Sequence, residues 1–445
     1  MTDFDVVIIG GGVGGLTLAL KLAQANIHVL VIEKANQPGK IYKGELLQPK
    51  SLENFSEMGV VEEIVANSWP LATIHTYEMK ERKDGSLRTE LYIPLHYHRL
   101  YSSFPSARMI PHEKLKELLL FKAKTYHSFT YWNPATFQDF SKINEENNEF
   151  NEATIYYKSG YRRITSSFFV GAEGRVSLMR KAMKEHGVTT HYNHQFLTVT
   201  FPRPEVFKEA RMYATHREFI GLFPLPDNKV RSVMLIKPGD YKRMKDEGLH
   251  TFYEPFERFV PELSGYLESI TSWKDIQLMI PIRHKTQQYV KGNAAIIGDA
   301  AHTVHPMAGE GMNMAIQDGA ILGELLTWMY KEGTRQPQYL KLYEKVRKKR
   351  ADRMSHLSHL SAMAYTWPAR WYQQGRMFAL KRLERHPVLH DKHMLNISGI
   401  GWWPYNGLDI LRFFGLAKAY SLKRLKKKQW ENIYSSHDDY PWKAK

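Results

Sequence analysis

The sequence predicts an α/β protein in which a parallel sheet with covering helices is interleaved with an antiparallel sheet and followed by a helical C-terminal region. Three observations predict this fold class. The first 34 residues contain two continuous apolar runs around a glycine-rich turn and a helical segment, as in a sheet covered on both faces. Residues 195–236 alternate apolar and polar side chains, as antiparallel strands do. After about residue 346, aromatic, His and basic residues dominate, and we expect mostly helices.

The individual elements follow in chain order. Strands at residues 5–9 and 27–32 enclose the first helix, at residues 16–25. The later patterns predict a helix at 108–125 with Pro111 near its start, a hairpin at 154–170 that turns at Ser159 and Gly160, strands within 195–236 around a turn at 223–228, a buried strand at 294–297 and a helix at 314–329. The two kinds of sheet therefore alternate along the chain.

Composition and charge exclude several classes of protein. With 445 residues, 43% of them hydrophobic and 24% charged, the chain is of globular type and long enough for two or three domains. The absence of cysteine excludes disulfides, thiolate metal sites and cysteine nucleophiles. The first residues lack secretory-signal features, and no run reaches the roughly 18–20 apolar residues of a membrane-spanning helix. We therefore expect a cytoplasmic protein, with any membrane contact at the periphery.

The first chemical motif is the glycine-rich turn after the first strand. Gly10, Gly12 and Gly15 satisfy the pattern G-x-G-x-x-G, which permits a tight turn, close approach of a pyrophosphate and close helix–strand packing. Glu33 ends the second strand 18 residues after Gly15, where an acid binds both hydroxyls of an adenosine ribose and disfavours a 2′-phosphate. This Rossmann-type unit predicts dinucleotide contacts from Gly10, Gly12, Val13, Gly14, Gly15, Glu33 and Lys34.

The second motif lies almost 300 residues later, in GNAAIIGDAAHTVHPMAGEGMNMAIQDGAILGELL, residues 292–326. A buried strand ends at Gly298 and Asp299, and the Asp299 carboxylate suits a polyol. Residues 306–313 form a glycine-bearing turn that leads into a helix, and such a turn offers backbone N–H groups to an anion or an electron-rich ring edge.

This segment closely resembles the GD motif of the single-component FAD-dependent aromatic hydroxylases, the group A flavoprotein monooxygenases, which include para-hydroxybenzoate hydroxylase and the ubiquinone-biosynthesis hydroxylases. The resemblance spans roughly residues 4–330 and implies FAD as the cofactor. It implies flavin contacts from Gly298, Asp299, Pro306, Gly309, Gly311, Met312 and Asn313. Of these and their neighbours, Pro306, His305 and Gly311 are the predicted catalytic residues.

Two further segments match the family in order and spacing. Residues 171–175 (GAEGR) match the DG motif, which implies contacts from Glu173 and Gly174 to FAD and the nicotinamide cofactor. Arg108 matches an arginine that reaches the pyrophosphate side of the flavin. Glu173 stands where the family usually has Asp, and the longer side chain affects the contact with nicotinamide that the motif implies. Glu310 stands where Gln is common. A carboxylate at Glu310 disfavours an anionic reduced flavin unless it is protonated or points away.

The resemblance implies the activity. NADH or NADPH is expected to reduce FAD transiently, and a C4a-hydroperoxyflavin formed with O₂ then hydroxylates or epoxidises an aromatic, quinonoid or other unsaturated, hydrophobic substrate. Two alternatives remain open here: an FAD-dependent reductase or isomerase of a polyprenyl substrate, and a non-catalytic FAD-binding protein. The expected FAD-binding domain comprises residues 1–75, 100–185 and 280–345, the substrate domain 76–99 and 186–279, and the helical region 346–445.

Some side chains allow both a functional and a structural interpretation. His302 and His305 flank the flavin loop, as proton relays or as hydrogen-bonded structural residues. Tyr213, Phe223 and Pro224 are substrate-pocket candidates on strands where packing in the sheet core is the alternative. No set of acids and histidines has the spacing of metal ligands, so no metal is expected.

The C-terminal region concentrates positive charge. The net charge of the chain is +16, and residues 351–445 contain 16 Lys or Arg against 7 Asp or Glu. Residues 408–430 place apolar side chains, including Leu422 and Leu425, near helical spacing among Lys and Arg, with Trp402 and Trp403 upstream. Such a helix suits an anionic membrane surface, or it packs on its own protein. No nucleic-acid-binding module is recognisable, so nucleic acid is not an expected partner.

Overall fold

A computed structural model describes residues 2–35, 44–100, 102–418 and 437–443. Its strands are β1 (Phe4–Ile9), β2 (Val29–Ile32), β3 (Leu46–Leu47), β4 (Trp69–Leu71), β5 (Thr73–Glu81), β6 (Leu87–His96), β7 (Ala107–Met109), β8 (Phe129–Trp132), β9 (Ala135–Asn144), β10 (Glu149–Tyr157), β11 (Gly160–Gly171), β12 (Gly187–His191), β13 (Gln195–Pro202), β14 (Ala210–Ala214), β15 (Phe219–Leu225), β16 (Lys229–Ile236), β17 (Gln277–Met279), β18 (Ile282–Thr286), β19 (Val290–Lys291), β20 (Ala294–Ile296) and β21 (His302–Thr303). Its helices are α1 (Val13–Gln24), α2 (Pro49–Glu57), α3 (Val61–Ala66), α4 (His112–Ala123), α5 (Leu178–Ala182), α6 (Asp240–Glu247), α7 (His250–Phe259), α8 (Gly311–Lys331), α9 (Leu340–Thr366), α10 (Arg370–Arg385), α11 (Pro387–Ser398) and α12 (Gly407–Phe413).

The predicted parallel sheet is present in the order β20-β11-β1-β2-β8, and the short strand β19 pairs antiparallel with β20 at its edge. β1 pairs in parallel with both β11 and β2, and β2 pairs in parallel with β8. The apolar side chains of β1 and β2 are buried, because helices and the β9–β10 hairpin cover the sheet. The continuous apolar runs in the sequence therefore predicted these strands correctly.

The second large sheet has the order β17-β13-β16-β15-β14-β5-β6 and is antiparallel except where β14 meets β5. Side chains alternate between its two faces. One face, which includes Leu197 and Leu222, packs on Phe252 and Phe256 of α7; we call it the helix-covered face. The other carries Phe196 and Phe219, which pack with Met307; we call it the loop-facing face. Met307 belongs to the second motif, so this sheet closes over that motif.

The segment predicted as a helix at 108–125 begins later in the structure. Arg108 lies in β7, which pairs with β3 and β4, and α4 begins at His112 with Pro111 as its N-cap. A proline restricts the residue before it to extended backbone, so Ile110 cannot be helical and the strand continues up to it. The helix prediction was therefore wrong at its N-terminal end and right for the remainder.

The C-terminal region is helical, as predicted. α10 is fixed to the second sheet by Arg376, whose guanidinium makes a buried bidentate ion pair with Glu78 of β5 at 2.8 and 2.7 Å. Of the predicted helix at 408–430, α12 ends at Phe413, and Leu422 and Leu425 lie outside the described residues. None of the described helices combines the length and apolar character that crossing a membrane requires.

Candidate active site

The glycine-rich turn has the geometry that its pattern predicted. Gly10 has φ +113°, and a Cβ there would lie 2.4 Å from the carbonyl oxygen of Ala172. A Cβ on Gly15 would lie 2.1 Å from the oxygen of Gly10, whereas a Cβ on Gly12 would meet nothing within 4 Å. Gly12 is also the N-cap of α1 and has no side-chain cap. Two glycines thus allow close backbone packing, and the third leaves open space in front of unpaired N–H groups.

Glu33 stands at the carboxyl end of β2 beside this turn. Its Oε2 accepts a hydrogen bond from the Gly11 N–H, and its Oε1 accepts one from the Ala35 N–H, both at 2.7 Å. The side chain is half-buried, while the neighbouring Lys34 is exposed. The carboxylate is therefore held at the edge of the open space, where it fits the hydroxyls of a ribose.

A close helix contact brings the two sequence motifs together. A Cβ on Gly14 of α1 would lie 3.0 Å from the carbonyl oxygen of Ala315 in α8, and a Cβ on Gly319 would lie 2.5 Å from the oxygen of Gly14. Gly14 is the second residue of α1 and Ala315 the fifth of α8, so both lie near the N-terminal ends of their helices. The positive ends of two helix dipoles therefore lie side by side, which suits an elongated anionic ligand such as FAD.

A buried charge network fixes the loop that carries Gly298. Asp318 of α8 accepts hydrogen bonds from the Gly298 N–H at 2.8 Å, from His302 Nε2 at 2.7 Å and from Arg347 Nε at 2.6 Å. Burial opposes ionisation, but His302 and Arg347 outweigh it and lower the pKa of Asp318 to about 2. His302 therefore fits the interpretation as a hydrogen-bonded structural residue and not that of a proton relay. The sequence analysis missed Asp318, although an acid inside an otherwise apolar helical run was its signal.

Asp299 and the matched DG segment lie next to each other. Asp299 is partly exposed, with Arg175 Nε 3.5 Å from its Oδ2. Glu173 instead binds within its own segment, where its carboxylate accepts hydrogen bonds from Ser177 Oγ at 2.7 Å and from the Met179 N–H at 3.0 Å. Gly174 has φ +81°. The larger side chain at Glu173 thus stabilises the start of α5, and Arg175 supplies the charge beside Asp299.

The loop at residues 306–313 is supported from below by residues 44–48. Asn313 Oδ1 accepts from the Gln48 N–H at 2.8 Å and from a serine hydroxyl, and its Nδ2 donates to the carbonyls of Leu46 at 2.9 Å and Gly309 at 3.0 Å. Gly309 has φ +65°, and a Cβ there would lie 2.9 Å from Leu46 Cδ2. A Cβ on Gly44 would likewise come close to the Cβ of Met312. The predicted residues Pro306, Gly309, Gly311, Met312 and Asn313 are therefore held together as one unit.

Glu310 is fully buried at the N-cap of α8. Neither of its carboxyl oxygens has a hydrogen-bond partner among the described residues. Burial raises the pKa of Glu310 well above its ordinary value, and the nearby Gln48 amide offsets this only in part. Burial therefore favours the neutral form of Glu310, which, like the glutamine common at this position, places no negative charge against the loop at 306–313.

A pair of histidines connects the loop to a large cleft. His305 Nε2 and His194 Nε2 are 2.8 Å apart, and both rings are buried. Burial lowers the pKa of His194 to about 4 and that of His305 to about 3, so both are neutral at pH 7. His194 borders a cleft of about 1570 Å³, which Phe219 and Met363 also line. Sequence analysis missed His194, because nothing local distinguishes it.

The remaining predicted residues are distributed over both faces of the second sheet. Phe223 lies on the loop-facing face, in a cluster with Leu46. Tyr213 lies on the helix-covered face, where its ring stacks on Tyr77 at 4.8 Å, and alternation along β15 puts Pro224 on that same face. The structure therefore separates Tyr213 and Pro224 from the loop, and their pocket role has no support in this geometry.

Arg108 is bound at the end of α3. Its guanidinium donates to Ser68 Oγ at 2.6 Å and to the carbonyl oxygens of Val65 and Ser68 at 2.9 and 3.2 Å. Val65 lies in the last turn of α3, and Ser68 follows the C-cap Asn67, so Arg108 joins β7 to the end of that helix. Its contact with a flavin pyrophosphate stays a prediction.

Comparison with known proteins gives a consistent result. A family model described as "FAD binding domain" matches residues 3–358. The chain is similar to 6-methylpretetramide 4-monooxygenase of Streptomyces rimosus, with 24% identity over 71% of this chain and 73% of that protein. It is also similar to ubiquinone hydroxylase UbiL of Rhodospirillum rubrum, with 24% identity over 77% of each chain. The solved structure of P. aeruginosa PqsL in complex with 2-aminobenzoylacetate has the same fold, with a TM-score of 0.73, 22% identity, and coverage of 84% of this chain and 99% of that one.

Proposed function

The chain belongs to the FAD-binding-domain family of flavoprotein monooxygenases, and on this premise we propose that it inserts one oxygen atom of O₂ into an aromatic or quinonoid, hydrophobic substrate at the expense of NADH or NADPH. The juxtaposed N-termini of α1 and α8 are the single observation that carries this proposal furthest. They bring the glycine turn and the loop at 306–313 to one place, under the loop-facing face of the second sheet.

The residues present fit FAD. The open space at Gly12 and the half-buried Glu33 would hold the adenosine and pyrophosphate, and Asp299 with Arg175 would hold the ribityl side. When bound, the flavin supplies the hydride acceptance and the oxygen activation. The loop at 306–313 would position the ring, burial would favour the neutral form of Glu310 beside it, and the aromatic side chains around Met307 would exclude water.

The proposed substrate site is the part of the cleft that His194, Phe219 and Met363 border. The whole cleft exceeds a typical ligand pocket of roughly 300–1,000 Å³ and also extends along α6 and α7, so the substrate site occupies only a part of it. Two of the similar proteins are named for a pretetramide and a quinone, and the similar solved structure holds 2-aminobenzoylacetate, all of them oxygen-bearing compounds. We assign the FAD-binding part to residues 1–75, 100–185 and 280–345, and the substrate part to 76–99 and 186–279.

Anaerobic rapid mixing tests this function. The oxidised-flavin absorbance is followed after NADH or NADPH is added, with and without a panel of phenols and quinones, and oxygen is then admitted in isotopically labelled form. We expect reduction by one nucleotide, acceleration by a substrate, and one labelled oxygen atom in the product. If substrate is converted without label, the reductase or isomerase alternative replaces the monooxygenase. If no nucleotide reduces the flavin, the non-catalytic alternative does.

We also propose that the C-terminal region contacts an anionic membrane surface. Trp371 of α10 and Phe414 and Leu416 after α12 are 69%, 65% and 75% exposed. The two helices adjoin, since a Cβ on Gly415 would lie 2.5 Å from an Arg382 nitrogen. Exposed apolar side chains among basic residues bind anionic lipid better than neutral lipid.

Vesicle sedimentation tests the membrane contact. The protein should sediment with phosphatidylglycerol vesicles, remain free with phosphatidylcholine vesicles, and lose binding when Trp371→Ser and Phe414→Ser are combined. A matched control is Tyr161→Ser, since Tyr161 is 71% exposed on the distant β11. Equal sedimentation of both variants, or none of the unmodified protein, would contradict the proposal.

A further inference from the structure

The hydrogen bonds of His305 determine which ring nitrogen carries its proton. Its Nδ1 accepts a hydrogen bond from the Met307 N–H at 3.2 Å, so Nδ1 is unprotonated in the neutral ring. The proton is therefore on Nε2, which donates to His194 Nε2 at 2.8 Å. Because His194 Nε2 accepts, the proton of its own neutral ring is on Nδ1. One backbone N–H thus fixes both tautomers.

The surroundings keep the pair in this arrangement. Among the described residues, no carboxylate hydrogen-bonds to either ring. Tyr192 packs edge-on to His305, with ring centroids 4.6 Å apart, and its hydroxyl bonds to His359 Nδ1 at 2.9 Å instead. Reversal of the pair would put a proton on His305 Nδ1, directly against the Met307 N–H. In this arrangement Nδ1 of His194, the ring nitrogen that does not bond to His305, carries a proton, so it can donate a hydrogen bond and cannot accept one.

We propose that His194 is a specificity-determining residue, whose Nδ1–H donates a hydrogen bond to an acceptor oxygen, a phenolate or a carbonyl, of the substrate in the cleft. This inference rests on the proposed function. His194 borders the cleft, and in the described part of the chain its Nδ1 has no hydrogen-bond partner. A donor fixed in this way favours an ionised phenol or a ketone over an aryl ether or a neutral phenol that must itself donate.

The test compares two probes of nearly equal shape, 4-nitrophenol and 4-nitroanisole, on the FAD-loaded protein without nicotinamide, so that no turnover occurs. We expect the unmodified protein to bind 4-nitrophenolate more tightly than the ether and to ionise the bound phenol at a lower pH than in free solution. His194→Leu should weaken binding of the phenolate about ten- to a hundredfold, as expected for loss of a hydrogen bond to a charged group, and that of the ether less than about twofold.

Two further variants keep the test decisive. His194→Asn places an amide N–H near the position of Nδ1–H and should restore most of the phenolate preference. His359→Leu changes another cleft histidine that bonds to Tyr192, and the phenolate preference should survive it. Flavin content and the circular dichroism spectrum report whether each variant is folded.

The outcomes separate this inference from the proposed function. A His194→Leu protein that treats both probes as the unmodified protein does would overturn the role of His194, and so would a His194→Asn protein whose phenolate preference is as weak as that of His194→Leu. So would an unmodified protein that binds the ether as tightly as the phenolate or fails to bind the phenolate. Reduction by NADH or NADPH and incorporation of oxygen are measured separately on the unmodified protein, so their failure contradicts the proposed function and leaves the probe result standing.

Discussion

Substituting Gly12 and Gly15 by alanine separates cofactor binding from folding. Gly12 has φ −73° and ψ 176°, which alanine adopts freely, and its Cβ would meet nothing within 4 Å. We therefore expect Gly12→Ala to change the stability of the FAD-free protein by no more than about 0.5 kcal/mol. The new methyl group occupies the space that a pyrophosphate needs, so FAD affinity should fall at least about tenfold, or about 1.4 kcal/mol.

Gly15→Ala should have the opposite profile. Its Cβ would lie 2.1 Å from the Gly10 oxygen, well inside van der Waals contact, so the backbone must move. We expect a loss of stability of about 1–3 kcal/mol or more, even without FAD. Urea unfolding of the FAD-free protein and fluorescence titration with FAD measure the two effects. The reasoning is refuted if Gly12→Ala destabilises the FAD-free protein as much as Gly15→Ala, or if Gly12→Ala retains full affinity.

Two other substitutions test the buried charges of α8. Asp318→Asn leaves Arg347 buried without a counter-charge and should cost about 3–5 kcal/mol in urea unfolding, whereas Glu117→Gln, which removes an exposed ion pair with Lys114 on α4, should cost under about 1 kcal/mol; similar losses would contradict the network. Glu310→Gln tests the neutral acid. With its pKa raised on folding, Glu310 stays protonated in the folded chain but ionises above 4.5 when unfolded, so the unmodified protein loses stability as pH rises, by about 1.4 kcal/mol per unit up to the folded pKa. The advantage of the Gln variant should therefore grow as the pH rises above 4.5, and a constant difference would contradict the assignment.

The sequence predicted those features whose causes are local. Apolar runs placed β1 and β2, and the glycine spacing placed the turn and its acid, because each depends on neighbours within one βαβ unit. The features it missed depend on residues far apart in the chain. His194 and His305 meet across 111 positions, and Arg347 reaches Asp318 from another helix. Arg108 shows the same limit, since its strand exists only through pairing with β3 and β4.

The joining of Gly14 to Ala315 also has a consequence for the order of events during synthesis. The two parts of the proposed flavin site, at Gly14 and at Ala315, leave the ribosome about 300 residues apart, and β20, which pairs with β11 in the parallel sheet, is also translated late. The nascent chain therefore cannot acquire the flavin while it is being extended through its middle portion. Flavin capture therefore occurs near the end of translation. Strands β1 and β11 must wait until then for their distant neighbour β20, and such long-range pairing is slow and leaves the chain exposed to aggregation. Expression with ample riboflavin should therefore raise the yield of intact protein rather than the rate of its synthesis.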